Sequence, residues 1–193
     1  MDAYYINLDH RLDRREEMEH ELTALNLSAI RFPAFAHPYG PIGCMQSHLA
    51  VLREARERGL PRVLIFEDDF ECLVPPNEFW ATLELAENYA CDVLMLSYNV
   101  QQSEPMNDVV FRILEAQTAS GYMVYASIYN ELIACYEHHL PLLEQTKHHW
   151  LHVNDQCWKP LQKTHRWLGT TTRLGKQRKS FSDNSKQVVD FGL

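Results

Sequence analysis

The chain is poor in glycine, with seven in 193 residues, and it has neither a G-x-G-x-x-G run nor a Walker A sequence. A nucleotide therefore finds no glycine-lined phosphate loop and must be held by other means. Its five cysteines (Cys44, Cys72, Cys91, Cys135 and Cys157) are scattered, odd in number and free of any C-x-x-C pair. That pattern argues against a structural zinc site and points to free thiols in a reducing, cytoplasmic setting. No apolar stretch is long enough for a membrane span or a signal peptide. Basic residues are outnumbered 18 to 26, for a net charge of −8, which argues against a nucleic-acid partner. His148 and His152 have the i, i+4 spacing of a helical zinc pair, but the Glu of H-E-x-x-H is missing. What is present is an ordinary globular composition, 46% hydrophobic and 23% charged. The length fits one compact domain over residues 1–193.

The most informative stretch is Val63-Leu64-Ile65-Phe66-Glu67-Asp68-Asp69. Four apolar residues fed by Gly59-Leu60-Pro61 predict a central strand buried on both faces. Three carboxylates then fall at its carboxyl end, where open α/β sheets place their ligands. Adjacent like charges about 4 Å apart repel by roughly 4 kcal/mol at an effective dielectric near 20. The cluster must therefore be solvated, shift its pKa values, or hold a cation. All-oxygen ligands suit Mg²⁺ or Mn²⁺ rather than zinc. The competing reading is a solvated strand-end turn.

The rest of the chain alternates strand and helix over its first hundred residues, the pattern of an α/β fold whose sheet is mixed later on. Ala3–Leu8 reads as a first strand and the following helix runs to about Asn26, with Asp13 and Glu16 as a capping pair. Arg11, Arg14 and Arg15 surround that helix start. They suit a diphosphate at a helix N-terminus, or equally a surface ion-pair ladder with Glu16, Glu17 and Glu19. A strand over 29–35 and a helix from Ile42 to Arg58 follow; Ser47-His48 on that helix is weak evidence for nucleophilic catalysis, and His48 suits a buried hydrogen bond. Pro75-Pro76-Asn77 opens a third helix, and 91–97 forms a further buried strand. The polar stretch Tyr98–Asn107 reads as a mobile loop. Strands are expected over 109–114 and 122–126, with Ser127 capping the next helix. Asp155 opens a short helix as a cap or as a general base. The basic segment 170–193, with Arg173, Lys176, Arg178 and Lys179, is a disordered tail or a flap over phosphates.

Four stretches together resemble glycosyltransferase family 25, which includes lipopolysaccharide and collagen galactosyltransferases. They are Ile6-Asn7-Leu8-Asp9 with Arg11, Asp13, Arg14 and Arg15; Ile42-Gly43-Cys44 with Ser47-His48-Leu49; Val63 to Asp69; and Gly121-Tyr122 with the terminal Ser180-Phe181-Ser182-Asp183. The resemblance implies a GT-A-like, Rossmann-type α/β domain with a mostly parallel, mixed central sheet. It further implies a UDP-sugar donor, a Mn²⁺ or Mg²⁺ ion, and transfer of a hexose such as galactose to a glycan or glycosylated acceptor. By the same resemblance Asp69 is the direct metal ligand, and Glu67 binds the ribose or an ordered metal water. Asn7, Leu8, Arg11 and Arg14 line the donor, together with Asp68. Ser47 and His48 support its pocket, Lys176, Gln177 and Arg178 close over the phosphates, and Asp155 is the base of an inverting displacement. Ser127-Ile128-Tyr129-Asn130 and His152-Val153-Asn154-Asp155 depart from the family pattern on the acceptor side. A catalytically idle sugar-nucleotide-binding or partner-binding module is the first rival. A receiver-like phospho-acceptor domain is the second, though its acidic pair belongs near the first strand rather than the third.

Overall fold

The computed structural model describes residues 1–182 and 187–189, with side chains through Lys179. The chain opens with β1 (Ala3–Asn7), buried at every position, and α1 (Leu12–Ala24), which turns Met18 and Leu22 inward. β2 (Ile30–Pro33) leads to α2 (Gly40–Glu57), whose first turn accepts Pro41 because its N–H would have no partner there anyway. β3 (Arg62–Glu67) and the short β4 (Phe70–Cys72) flank the acidic turn. α3 (Pro76–Glu87), β5 (Val93–Met95), β6 (Asn99–Pro105), β7 (Val110–Gln117) and β8 (Gly121–Tyr125) follow. After a 3₁₀ turn at Ala126–Ile128 come α4 (Tyr129–Thr146), α5 (His149–His152), α6 (Asn154–Cys157) and α7 (Lys159–Thr164). The described chain closes with β9 (Trp167–Thr170), β10 (Gly175–Gln177), β11 (Ser180–Ser182) and β12 (Gln187–Val189).

Eight strands form one sheet in the order β2-β1-β3-β8-β5-β9-β7-β6. Following the pairings outward from β1, only β8 and β7 run against the other six. Alternate residues of each central strand feed two cores. Tyr4, Ile6, Val63, Ile65, Tyr122 and Val124 pack with α2 and α4 on one face. Tyr5, Leu64, Phe66, Leu94 and Met123 pack with α1 and α3 on the other. This three-layer arrangement explains why Val63–Phe66 is continuously apolar: both faces of the strand are covered.

Three local expectations are corrected. The stretch Tyr98–Asn107 is largely strand, not loop, because β6 pairs along β7 with register shifts at Val100–Ser103. As an exposed edge it has no buried face, so it shows no apolar alternation to read. Asp13 and Glu16 do not cap α1; Arg11 holds the cap position without a side-chain cap, and Asp13 bonds its guanidinium at 2.8 and 2.9 Å. Ser127 does not cap α4 either: it lies in the 3₁₀ turn and donates to Asp92 at 2.6 Å, which fastens the turn to the strand entry instead.

Phe70, the residue after the acidic triplet, is fully buried, with its ring 4.7 Å from that of Phe66. The ring lies against two glycines whose missing side chains make room for it. A Cβ at Gly121 would stand 2.6 Å from the ring, and one at Gly175 only 2.0 Å. The pairing of β10 with β4 thus depends on an aromatic anchor at the acidic turn. Phe70→Ala is expected to lower unfolding stability by about 3–5 kcal/mol, read from the urea midpoint and slope.

Candidate active site

The acidic triplet lies at the carboxyl end of β3, beside the carboxyl end of the parallel β1. Strand alternation divides its charges. Glu67 turns toward α2, where His48 Nε2 lies 3.0 Å and Cys44 Sγ 3.5 Å from its Oε1. Asp68 turns the other way and accepts a 2.8 Å bond from Asn7 Nδ2. Asn7 is itself locked by Arg31 of β2, whose Nε donates to its Oδ1 at 3.0 Å. Arg14 reaches in from the first turns of α1, and its Nη1 bridges Asp68 at 2.9 Å and Asp69 at 3.1 Å. From β10, Gln177 donates to Asp69 Oδ2 at 3.0 Å, while the Arg178 backbone N–H caps the Asp69 carbonyl at 2.6 Å.

Several expected donor residues are thereby brought together: Asn7, Arg14, Glu67, Asp68 and Asp69 form one buried corner. Others are used elsewhere. Arg11 bonds Asp13, and Arg15 pairs with Glu19 at the surface. Lys176 faces Glu71, and Arg178 faces Glu17 and Glu21 on α1. Alternation along β10 gives the inward position to Gln177, between those two cations. Leu8 is half-buried, and its carbonyl accepts the Arg11 N–H at 2.9 Å. Ser47 is fully buried; it donates to the Gly43 carbonyl and accepts the Phe35 N–H, pinning the loop before α2 from behind. His48 is fully buried, with Nδ1 2.8 Å from the Tyr122 hydroxyl, so it supports Glu67 from within the core. Arg31 and Tyr122 carry no site signal in the sequence, because the partners that engage them, Asn7 and Asp9 for Arg31 and His48 for Tyr122, are distant in the chain. Asp183 lies outside the described residues.

Asp155 accepts the Thr118 backbone N–H at 3.1 Å. Thr118 has φ +83°, a region that a β-branched residue rarely enters, so local strain is held next to the candidate base. Burial raises the Asp155 carboxyl above its usual range, opposed by that N–H. Burial likewise raises Asp68, against the pull of Arg14. Asp69 is pushed up to about 7 by burial and then by Glu67, with Arg14 opposing. Burial also works on Glu67, but the hydrogen bond and charge of His48 outweigh it and hold that carboxyl below its ordinary value. Arg14 is shared between Asp68 and Asp69 while His48 faces Glu67, and among the described residues Asp69 Oδ1 is buried without a hydrogen-bond partner. That all-oxygen, electron-rich corner fits a hard divalent cation. Surface hollows are found at the opposite end of β3, beside Asp2, Arg62 and Tyr125, and near the sheet edge beside Glu104, Arg112 and His165. Neither contains a residue of this corner.

A folded-state pKa above the unfolded value means that the native state binds the extra proton. The stabilisation is therefore full below about pH 4 and is lost as pH rises toward 7. In chelator-treated protein, Asp69→Asn is expected to flatten that loss, gaining on the order of 1–3 kcal/mol over the parent at pH 8 relative to pH 5. Thermal unfolding of both proteins across that pH range checks it.

No family model matches the chain. It is similar to the human (Homo sapiens) protein named inactive glycosyltransferase 25 family member 3, with 30% identity over 164 residues, covering 66% of this chain and 26% of that protein. The probable inactive bovine (Bos taurus) counterpart is 29% identical over the same span. The chain thus spans about a quarter of the length of these curated relatives. Among solved structures it is similar to a glycosyltransferase involved in glycosylation of the major capsid of PBCV-1, with a TM-score of 0.57 at 7% identity, covering 96% of this chain and 95% of that one. It is also similar to mannose-1-phosphate geranyltransferase from Thermus thermophilus, with a TM-score of 0.50 at 9% identity, covering 92% and 73%. At such identities the structural likeness speaks for the fold alone, a GT-A-like, Rossmann-type α/β domain. The family that the sequence motifs resemble is thus the family of the curated relatives, glycosyltransferase family 25.

Proposed function

We propose that the chain is a glycosyltransferase domain that binds a UDP-sugar at the acidic corner and moves its hexose, galactose by the family resemblance, to a hydroxyl of a glycan or glycosylated acceptor. The observation that carries this reading is the convergence of Asn7, Arg14, Glu67, Asp68, Asp69 and Gln177 at the carboxyl ends of β1 and β3. Ligands of open α/β sheets bind at that edge. Asp69, with Asp68 beside it, would hold a Mn²⁺ or Mg²⁺ ion, which when bound supplies Lewis-acid neutralisation of charge on the departing diphosphate. Arg14, already bonded to Asp68 and Asp69, would set a guanidinium beside that charge, and Arg31 orients Asn7 at the end of β1 toward the nucleotide. Asp155 would accept the proton of the attacking hydroxyl in a single inverting displacement. Its raised pKa makes it the stronger base once ionised. A cytoplasmic setting belongs to the same proposal, supported by five cysteines of which none is in a disulfide. Among the described residues no helix is long and apolar enough to cross a membrane.

A second reading, an idle module that binds a sugar nucleotide without turnover, has its own support. Arg14 already engages both Asp68 and Asp69, and the curated relatives are named as inactive. Calorimetry with UDP, with and without Mn²⁺, followed by UDP release from a panel of UDP-sugars, separates the two. The transferase reading expects Mn²⁺-enhanced UDP binding that Asp69→Ala removes, and an Asp155→Asn variant that still binds UDP but turns over about 10²-fold more slowly. Tight UDP binding with no release from any donor would favour the idle module.

A further inference from the structure

Behind the acidic corner, on the α2 side, three side chains of different chemistry converge. Cys44 Sγ, a His48 ring nitrogen and a Glu67 carboxylate oxygen all lie within 4.8 Å of one another. We propose that Cys44, His48 and Glu67 form a binding site for a borderline transition-metal ion of the Zn²⁺ class, distinct in chemistry from the hard-cation position at Asp69.

The distances support it. Tetrahedral zinc with bonds of about 2.0 Å to N and O and about 2.3 Å to S requires N–O and S–O edges of roughly 3.3 and 3.5 Å. The observed His48 Nε2–Glu67 Oε1 and Cys44 Sγ–Glu67 Oε1 separations are 3.0 and 3.5 Å, so these two edges match within a few tenths of an ångström, and the third, between Cys44 and His48, lies within 4.8 Å. The surroundings are those of a ligand set as well. His48 Nδ1 is 2.8 Å from the Tyr122 hydroxyl and Nε2 is 3.0 Å from Glu67; with Nδ1–H donating to Tyr122, an ion that takes the place of the Nε2 proton meets the Nε2 lone pair. Asn154 Oδ1 lies 4.0 Å from Cys44 Sγ, while its Nδ2 is buried with no partner among the described residues. Rotating that amide presents the orphaned N–H₂ to a Cys44 thiolate, the donor that a buried sulfur anion needs.

Charge agrees too. A thiolate, a carboxylate and a neutral imidazole sum to −2, which cancels the charge of a divalent ion. Cys44 and Glu67 are only partly buried, leaving access for the ion and an open fourth position. On binding, the Cys44 S–H proton and the His48 Nε2 proton that bonds Glu67 pass to solvent, and the freed sulfur and nitrogen lone pairs bond the metal, with no change of oxidation state. The proposal stands whether or not the chain transfers a sugar.

Metal-free protein titrated with Co²⁺, without any nucleotide, tests it. The expected result is one ion per chain with a near-ultraviolet thiolate-to-cobalt band and tetrahedral visible bands. Cys44→Ser should abolish the near-ultraviolet band, and Cys44→Ser and His48→Gln should each weaken Zn²⁺ affinity by roughly 100-fold or more. Asp69→Asn should leave the band in place. Circular dichroism of the metal-free variants verifies folding, and Cys44→Ser, nearly isosteric, carries the test if His48→Gln unfolds. Absence of the band in the parent, its survival in Cys44→Ser, or its loss in Asp69→Asn overturns the site. Loss of Mn²⁺-dependent UDP binding with the cobalt band intact would count against the sugar-transfer reading alone.

Discussion

Everything at the working end of this molecule depends on burying carboxylates side by side. Asp68 and Asp69 are almost fully buried, next to Glu67, and taking such charges out of water is costly unless each is matched. Arg14 supplies the match on one face, bridging Asp68 and Asp69, and His48 supplies it on the other, against Glu67. The match on the aspartate face is incomplete among the described residues: Arg14 is shared by two carboxylates, and an oxygen of Asp69 has no donor. The imbalance is tolerable in a folded protein because protonation relieves it. It also makes the corner receptive to positive charge from outside.

The scaffold keeps this corner rigid rather than adaptable. β3 is flanked by β1 and β8, so its tip cannot drift, and the strand after the turn is fixed by Phe70 between two glycines. Ser47, His48 and Tyr122 then brace Glu67 from α2 and β8. Groups held in place in this way need little rearrangement when a charged ligand arrives. The strained Thr118 beside Asp155 belongs to the same pattern, since a backbone outlier persists only where neighbours over-determine it.

Much of this was legible in the residues themselves. Val63 to Asp69 announced a doubly covered strand with an acidic tip, because a period-free apolar run has few other uses. The proline-led start of α3 at Pro76 was equally readable, whereas α2, expected from Ile42, takes Pro41 into its first turn. The edge strand β6 was not, since its hydrogen bonds to β7 leave no trace in a polar sequence. Nor was the choice among cations: Arg11, Arg14, Lys176 and Arg178 look alike on paper, and only helix phase and strand alternation send Arg14 inward while acidic neighbours claim the rest. Gln177 stood among the residues expected over the phosphates, but its partner Asp69 is 108 positions away in the chain. The cluster of Cys44, His48 and Glu67 joins a helix to a strand in the same way, and no local spacing rule covers such a pair.

The insertion of β8 between β3 and β5 has a consequence for how the chain matures. Until residues 121–125 emerge from the ribosome, β3 has β1 on one side and an unsatisfied row of backbone donors and acceptors on the other. The nascent amino-terminal half is thus a sheet with a sticky apolar margin, open to pairing with foreign strands. Its cover in the folded chain comes from β8, a segment made more than fifty residues later that runs antiparallel to β3.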